Sequence, residues 1–305
     1  MQVRANNHSF EVERFGPEDR ETILLVMGLG GQMTLWPMEL IDDLVSRGYH
    51  VVRFDNRDVG LSAKFDHLGN PKMLRLILAD ALGFNPKVPY LLDDMAKDAV
   101  GVLDALGIEK AHIAGVSMGG MIAQLIAANH GDHVLSLTSI MSTTGHKSLA
   151  KPSKQARAAL LTPPPKDPSD MDAVFARMTK TFAVIGSPGY PASEEERREL
   201  MMEQLERSYH PTGLVRQIAA IVASGDRRAA LKNVTAPTVV LHGEDDPLVP
   251  LEGGKDTALH IRGAELITIP GMGHDMPKQL VPKIADAIVQ AAKRAGSEPA
   301  AQAAE

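Results

Sequence analysis

The sequence predicts an α/β protein with a mostly parallel, doubly wound sheet and a helical insertion. Short apolar runs alternate with amphipathic helical patterns over the first 142 residues and again from residue 231. This alternation is typical of parallel strands with helices on both faces of the sheet. Residues 143–230 contain no convincing buried strand and carry helical spacing instead. Together these observations favour one sheet-based core with a helical segment inserted into it.

The first half of the chain supplies most of the predicted core. Four short apolar runs read as buried strands, and three segments between them have helical apolar spacing. The predicted strands are 21–27, 50–54, 111–115 and 134–141, and the predicted helices are 39–47, 95–106 and 118–129. Gly48 and Gly107 follow the first two helices, where glycine commonly ends a helix.

The second half begins with the insertion. It contains a breaker-rich stretch at 162–168 and a helical pattern at 193–209. The sheet pattern then resumes at 237–242 and 265–269, and a last helix is predicted at 277–293. We therefore expect a sheet-based core formed by 1–142 and 231–294, a helical cap formed by 143–230, and a flexible tail at 295–305.

The composition excludes several classes of protein. Apolar residues make up 44% and charged residues 23%, as in ordinary globular chains. The net charge of −6 argues against a nucleic-acid partner, since such proteins need a basic face. The chain has no cysteine, so disulfides and thiolate catalysis are excluded. No run of 18 apolar residues and no secretory signal is present, so we expect a cytoplasmic protein without a membrane span.

A glycine-flanked serine is the strongest chemical signal in the sequence. Ser117 is the centre of a G-x-S-x-G motif at 115–119, which follows a predicted strand and opens a predicted helix. So sharp a turn holds its central residue in a strained conformation and lifts the hydroxyl to the carboxyl edge of the sheet. The plain alternative is that Ser117 only caps the helix.

Four further motifs accompany this turn. A glycine loop at 26–31 follows the first apolar strand, and the loop 55–62 reads D-N-R-D-V-G-L-S. An acidic turn at 241–250 and a glycine–histidine loop at 269–277 follow later strands. With the serine turn, they resemble the α/β-hydrolase superfamily along essentially the whole chain. Within it, the sequence is similar to the single-chain serine esterases with a helical cap, including the aclacinomycin methylesterase branch.

The resemblance implies a Ser-His-Asp catalytic triad. Serine needs a histidine to take its proton and a carboxylate to orient that histidine. The register of the acidic turn selects Asp246 as the acid, with Asp245 as the main rival and Glu244 less suitable. The glycine–histidine loop supplies His274 as the base. The family order of serine, acid and histidine is preserved.

The resemblance also implies an oxyanion hole, the pair of N–H donors that stabilises the negative oxygen of a tetrahedral intermediate. One donor is the backbone N–H of Met118, the residue after the serine. The other is carried over to Leu29, with Gly30 left open as an alternative. Met27 stands where the family often has histidine, and Asp58 where it often has glycine. Because neither phosphate-binding glycine pattern is completed at 26–31, this loop does not predict a nucleotide site.

These inferences lead to a function. We expect a carboxylic-ester hydrolase that acts on small to medium, mostly apolar esters through an acyl-enzyme, with Gly28 and Trp36 at the substrate site and Trp36 at its entrance. We expect no cofactor, no metal, and a monomer or homodimer. The alternatives are a lactonase, a C–C hydrolase or a perhydrolase with the same triad, or a non-catalytic ligand-binding module on the same fold. Ser117 argues against the dehalogenases and epoxide hydrolases of this fold, which carry aspartate there.

Overall fold

An eight-stranded sheet organises the molecule. The computed structural model describes residues 1–72, 75–76, 78–79, 82, 84, 86–163, 165, 167 and 170–296. The strands are β1 (Gln2–Ala5), β2 (His8–Phe15), β3 (Thr22–Val26), β4 (His50–Phe54), β5 (Ala111–Val116), β6 (Val134–Ile140), β7 (Thr238–Gly243) and β8 (Glu265–Ile269). Their order across the sheet is β1-β2-β4-β3-β5-β6-β7-β8. All pairs from β4 to β8 are parallel, which confirms the predicted fold class.

The N-terminal hairpin was not predicted. Strands β1 and β2 pair antiparallel with each other, and β2 pairs antiparallel with β4. Only one face of this hairpin is buried. Its buried positions alternate along both strands: Val3, Ala5, Phe10 and Val12. Such alternation is the pattern of a half-buried strand, and charged residues between the apolar ones hide it from a search for continuous apolar runs.

Ten helices flank the sheet in the described part of the chain. They are α1 (Met38–Ser46), α2 (Leu92–Ala105), α3 (Met118–Asn129), α4 (Lys154–Leu161), α5 (Met171–Ile185), α6 (Glu194–Arg207), α7 (Pro211–Ser224), α8 (Arg228–Leu231), α9 (Glu252–His260) and α10 (Val281–Gly296). None of them combines the length and apolar character that crossing a bilayer requires. Helix α10 extends beyond the predicted end of the last helix, and residues 297–305 of the expected tail lie outside the described residues.

Apolar residues form one core on each face of the sheet. Alternate residues of β3 serve the two cores, because successive side chains of a strand point to opposite faces. Leu24 and Val26 pack with helices α2 and α3, whereas Ile23 and Leu25 pack with helices α1 and α10. Two helical layers therefore sandwich the sheet, as the doubly wound pattern predicts.

The segment between β6 and β7, which we call the helical insertion (143–230), contains helices α4 to α8 and no described strand. Local capping explains several of its helix starts. At α6, Ser193 Oγ accepts the Glu196 N–H at 3.0 Å and Glu196 Oε2 accepts the Ser193 N–H at 2.8 Å, a reciprocal capping box. The breaker-rich stretch separates α4 from α5, although its residues 164, 166 and 168 lie outside the described residues.

A buried ion pair joins the loop after β4 to helix α2. Arg57 Nε lies 2.5 Å from Asp98 Oδ2, and both side chains are buried. The Arg57 guanidinium also lies over the rings of Phe65 and Tyr90, at 4.6 and 4.9 Å from their centroids. Burial raises the pKa of Asp98, and the hydrogen bond from Arg57 only partly offsets that effect. Removing one partner therefore leaves an uncompensated charge inside the protein.

We expect Asp98→Ala to lower the free energy of unfolding by about 3–5 kcal/mol, because it strands the buried guanidinium of Arg57. Urea unfolding followed by circular dichroism measures this change. Asp93→Ala on the same helix is the matched control, since Asp93 pairs with Lys97 at a partly exposed position and its loss should cost no more than about 1 kcal/mol. Equal costs for the two variants would contradict the prediction.

Candidate active site

The turn between β5 and α3 presents Ser117 in a left-handed conformation. Its φ is +55° and its ψ is −118°, which is unfavourable for a residue with a side chain. Close packing of the backbone holds the turn. A Cβ atom at Gly115 would lie 2.1 Å from Gly119 O, and one at Gly119 would lie 2.0 Å from Val26 O. The Ser117 side chain makes no capping hydrogen bond to helix α3, so it is not a simple N-cap.

Three side chains that are distant in sequence form a hydrogen-bonded relay at this turn. His274 Nε2 lies 2.9 Å from Ser117 Oγ, and His274 Nδ1 lies 2.6 Å from Asp246 Oδ2. A carboxylate can only accept, so Nδ1 carries the ring proton and Nε2 is left to accept the serine hydroxyl. The structure thus brings together the serine, the histidine and the aspartate that the sequence nominated.

The acidic turn after β7 distinguishes its three neighbouring carboxylates. Asp246 Oδ1 accepts the N–H groups of Leu248 and Val249 at 2.9 and 2.8 Å, which leaves Oδ2 for His274. Asp245 Oδ2 instead accepts the Gly271 N–H at 2.8 Å. The third carboxylate, on Glu244, accepts a hydrogen bond from the Thr268 hydroxyl. Of the three carboxylates, only Asp246 contacts His274, because the turn directs the side chains of Asp245 and Glu244 away from the histidine.

The histidine loop is held by the helical insertion. The His274 N–H donates to Ile185 O at 2.7 Å, and the Gly273 N–H donates to Ser187 Oγ at 2.8 Å. Ser187 Oγ in turn donates to the carboxylate of Asp275. Burial raises the pKa of Asp275, partly offset by this hydrogen bond. The base therefore depends on the end of helix α5 for its position.

The glycine loop after β3 presents a free backbone donor near the serine. Gly28 packs directly on Ser117, since a Cβ at Gly28 would lie 3.2 Å from Ser117 Cβ. Gly30 N–H donates to Gln217 Oε1 at 2.8 Å and is thus already engaged. Within the described part of the chain, the N–H groups of Leu29 and Met118 donate to no acceptor. Both N–H groups are therefore available to an acceptor outside the protein.

A large cavity of about 1210 Å³ opens onto Ser117 and His274. Core loops form its floor and the helical insertion forms its opposite wall. Its apolar lining comes from both parts of the chain: Met27, Leu29, Met121, Met141, Met178 and Phe182. Methionine adapts to irregular apolar surfaces, so this lining suits an apolar ligand of variable shape. Among the described residues, no three His, Asp or Glu side chains converge as metal ligands.

The expectation that Trp36 lines the entrance is wrong. Trp36 is fully buried and packs in the core beside Leu40 of helix α1 and Ile23 of β3. A short 3₁₀ turn at Met33–Leu35 redirects the chain, so the large indole is buried against the sheet while its neighbour Pro37 lines the cavity. Burying so large an apolar ring stabilises the fold more than an exposed position at the cavity entrance would. Gly28, the other residue expected at the substrate site, does line the cavity.

Two buried aspartates in the loop after β4 fasten the helical insertion to the core. Asp58 has a φ of +69°, in the place where the family often has glycine. Its carboxylate binds Arg216 of helix α7 through two bonds of 2.8 and 2.7 Å and also accepts the Tyr90 hydroxyl at 2.7 Å. Burial alone would raise the pKa of Asp58, but these hydrogen bonds outweigh it and lower the pKa. Asp55 likewise pairs with Arg207 of helix α6 at 2.8 Å.

Sequence reasoning missed the partners of these aspartates. It did not identify Arg207 and Arg216 of the insertion as those partners, nor Gln217, which binds the neighbouring Gly30 N–H. No spacing rule relates residues that lie about 150 positions apart, and polar residues on a helix ordinarily face solvent. Their roles become visible only in the folded chain, where Arg216 and Gln217 are buried and Arg207 is half-buried.

Comparison with known proteins identifies the family and the fold. A family model described as the α/β-hydrolase fold matches residues 21–278. The rhodomycin D methylesterase of Streptomyces peucetius is 26% identical over 294 residues, covering 90% of this chain and 92% of that protein. A meta-cleavage product hydrolase of Pseudomonas fluorescens has a TM-score of 0.72 at 19% identity, over 97% of this chain and 98% of its own. An enol-lactonase of Burkholderia xenovorans has a TM-score of 0.68 at 18% identity, over 96% of this chain and 100% of its own.

A second histidine lies beneath the acid. His242 is fully buried, with Nε2 2.8 Å from Val249 O and 3.8 Å from Asp246 Oδ2. The carbonyl can only accept, so Nε2 carries the proton, and Nδ1 has no partner among the described residues. Burial lowers the pKa of His242. Burial is also the largest cause of lowered pKa values at His50, His112 and His210.

We expect the free energy of unfolding to decrease as the pH falls below about 6.5, the pKa of histidine in an unfolded chain. In that range the unfolded chain takes up protons that the buried neutral histidines do not. Each such group contributes a slope of up to about 1.4 kcal/mol per pH unit until its folded pKa is reached. Urea unfolding at pH 7.5, 6.0 and 5.0 measures the slope.

His242→Gln should flatten this pH dependence, because glutamine keeps an N–H donor for Val249 O but cannot be protonated. His67→Gln, at an exposed position, is the control and should follow the wild type. A His242→Gln slope identical to that of the wild type would show that His242 does not contribute.

Proposed function

The chain belongs to the α/β-hydrolase family, and from this premise we propose that it is a serine hydrolase of small to medium, mostly apolar carboxylic esters. The single observation that carries the proposal is the hydrogen-bonded relay of Ser117, His274 and Asp246 at the floor of an apolar cavity. The similarity to a rhodomycin D methylesterase over 90% of the chain supports ester hydrolysis in particular.

The proposed mechanism proceeds through an acyl-enzyme. Ser117 Oγ bonds to the ester carbonyl carbon while its proton passes to His274 Nε2. The carbonyl oxygen becomes negative and accepts hydrogen bonds from the N–H groups of Leu29 and Met118. When the tetrahedral intermediate collapses, the C–O bond to the alcohol breaks and the alcohol leaves with the proton from His274. Water then attacks the acyl-enzyme and gives a proton to His274. The bond to Ser117 Oγ breaks, His274 returns the proton to Oγ, and the acid is released.

Asp246 keeps the histidine ready for both steps. Its carboxylate fixes the ring proton on Nδ1 and stabilises the positive charge that develops on the imidazole. Two backbone N–H groups, from Leu248 and Val249, hold the carboxylate in place. The acid therefore acts through His274 and does not itself need to exchange a proton.

The substrate class follows from the shape and chemistry of the cavity. Ligand cavities commonly measure about 300–1000 Å³, so the volume here exceeds that range. Its methionine and aromatic lining favours an apolar acyl or alcohol group. We further propose that residues 143–230 act as a cap domain, residues 1–142 and 231–294 as the catalytic core, and Gly28 as a residue that borders the bound substrate.

We expect Ser117→Ala to abolish hydrolysis of a p-nitrophenyl ester, because Ser117 carries the hydroxyl that His274 contacts. Release of p-nitrophenol measures turnover, and circular dichroism checks that the variant is folded. A fluorophosphonate probe should label the wild type at Ser117 and leave the variant unlabelled. A panel of methyl esters, lactones and thioesters then defines the substrate. Undiminished turnover by a folded Ser117→Ala enzyme would end the assignment.

We expect Asp246→Asn to reduce kcat by about 10⁴-fold, because the amide favours the wrong histidine tautomer. Asp245→Asn is the matched control one residue away. Its carboxylate contacts the Gly271 amide instead of the histidine, so its effect should be smaller than about 10-fold. Steady-state kinetics with the same ester compares the two. A larger loss in Asp245→Asn would exchange the roles of these residues.

A further inference from the structure

One glutamine of the helical insertion touches the loop that carries the oxyanion donor. Gln217 lies on helix α7 and is fully buried. Its Oε1 accepts the Gly30 N–H at 2.8 Å, and its Nε2 donates to Arg57 O at 2.8 Å. A single side chain therefore ties the insertion to two separate loops of the core.

The first of these loops is a tight turn whose shape depends on its central peptide. The Gly31 N–H donates to Gly28 O at 3.2 Å, so residues 28–31 form a β-turn. Gly30 has a φ of +65°, while Leu29 is not in the left-handed region. This combination is typical of a type II turn, which requires a positive φ at its third residue. The Gly30 N–H belongs to the central peptide, and Gln217 fixes the direction of that peptide.

The same turn carries the free N–H of Leu29. This donor precedes the central peptide by one residue, and Gly28 before it already packs on Ser117. The Gln217 side chain is fully buried; its bond to Arg57 O is buried and its bond to the Gly30 N–H is partly buried. Without the glutamine, Gly30 N–H and Arg57 O would both lose their partner, and the turn would have to shift to satisfy them. A shift in the turn moves the Leu29 N–H relative to Ser117.

Neighbouring contacts explain how Gln217 is held at this point. Arg216, the preceding residue, binds the buried carboxylate of Asp58 through two hydrogen bonds. Leu214 packs on Gly30, since a Cβ there would lie 2.8 Å from Leu214 Cδ1. Helix α7 is thus docked on the core by an ion pair and an apolar contact close to the glutamine. This docking leaves the amide little freedom to turn elsewhere.

We propose that Gln217 is a positioning residue for the oxyanion hole, so that the hole is fully formed only while the helical insertion is docked on the core. The proposal rests on the ester hydrolase function proposed above. It makes the insertion a contributor to transition-state stabilisation as well as a wall of the cavity. Gln217 acts through the Gly28–Gly31 turn and does not itself contact the reacting atoms.

The test replaces Gln217 by methionine, which has similar length but has no donor for Arg57 O and only a weakly accepting sulfur for the Gly30 N–H. We expect kcat for a p-nitrophenyl ester to fall roughly 10- to 100-fold, less than the about 100- to 1000-fold that loss of a donor itself costs. KM should change by less than about 3-fold, because the interaction is made in the transition state. Affinity for an alkyl trifluoromethyl ketone, whose adduct with serine places a negative oxygen in the hole, should weaken in parallel with kcat.

Ser224→Ala is the matched control on the same helix. Ser224 Oγ accepts the Leu92 N–H at 2.9 Å, so this variant also removes a hydrogen bond between helix α7 and a core amide, but away from the site. Its kcat and its ketone affinity should equal those of the wild type. Equal losses in both variants would assign the effect to general loosening of the helix and overturn the proposal.

Further outcomes separate this proposal from the function on which it rests. An active wild type with an unchanged Gln217→Met overturns the role of Gln217 alone, whereas a wild type inactive on every ester overturns both proposals. If Gln217→Met does not fold, amide hydrogen exchange in the wild type provides the test. The Gly30 amide should be protected, and free exchange at Gly30 would overturn the proposal.

Discussion

The left-handed backbone at Ser117 is the constraint on which the site depends. A strand must end, reverse and begin a helix within one residue, and this is possible only because Gly115 and Gly119 let neighbouring backbone approach more closely than any Cβ would permit. The same close approach brings the loop after β3 against the serine, with Gly28 in contact. One steric solution therefore positions the hydroxyl, the N–H of Met118 and the N–H of Leu29. The two core faces of the sheet provide the rigid support that holds this strained turn.

Buried charge performs a second structural task, the attachment of the helical insertion. Asp55 and Asp58 are both fully buried, and each pairs with an arginine from a different helix of the insertion. A buried carboxylate without a partner is very costly, so these aspartates require the insertion to be present in one orientation. Apolar contacts alone would permit many orientations. The arrangement therefore links the stability of the loop after β4 to the placement of the cavity wall.

The sequence predicts some parts of the fold and of the candidate site better than others. Buried parallel strands can be seen in the sequence as continuous apolar runs. Strands β1 and β2 alternate apolar with polar residues, so a search for continuous apolar runs does not find them. Ser117, His274 and Asp246 were nominated from motifs, because each lies in a loop whose glycines, prolines and strand context are local in sequence. Trp36 was misplaced, since nothing local shows whether an aromatic residue after a glycine loop turns outward or into the core. The role of Gln217 could not be predicted, because it depends on a hydrogen bond with Gly30, which is 187 residues away in the sequence.

The helical insertion contacts both halves of the proposed machinery. On one side, Ile185 O and Ser187 Oγ accept N–H groups of the histidine loop. On the other, Gln217 accepts the N–H of Gly30 in the oxyanion loop. A segment attached to only one of these loops could move without changing the distance between base and oxyanion donors. A segment attached to both loops cannot move without changing that distance. Any opening that admits substrate must therefore either preserve these contacts or disturb the base and the oxyanion hole together. This coupling favours entry by local movement of the exposed parts of the insertion, with the end of helix α5 and the Gln217 turn of helix α7 remaining in place.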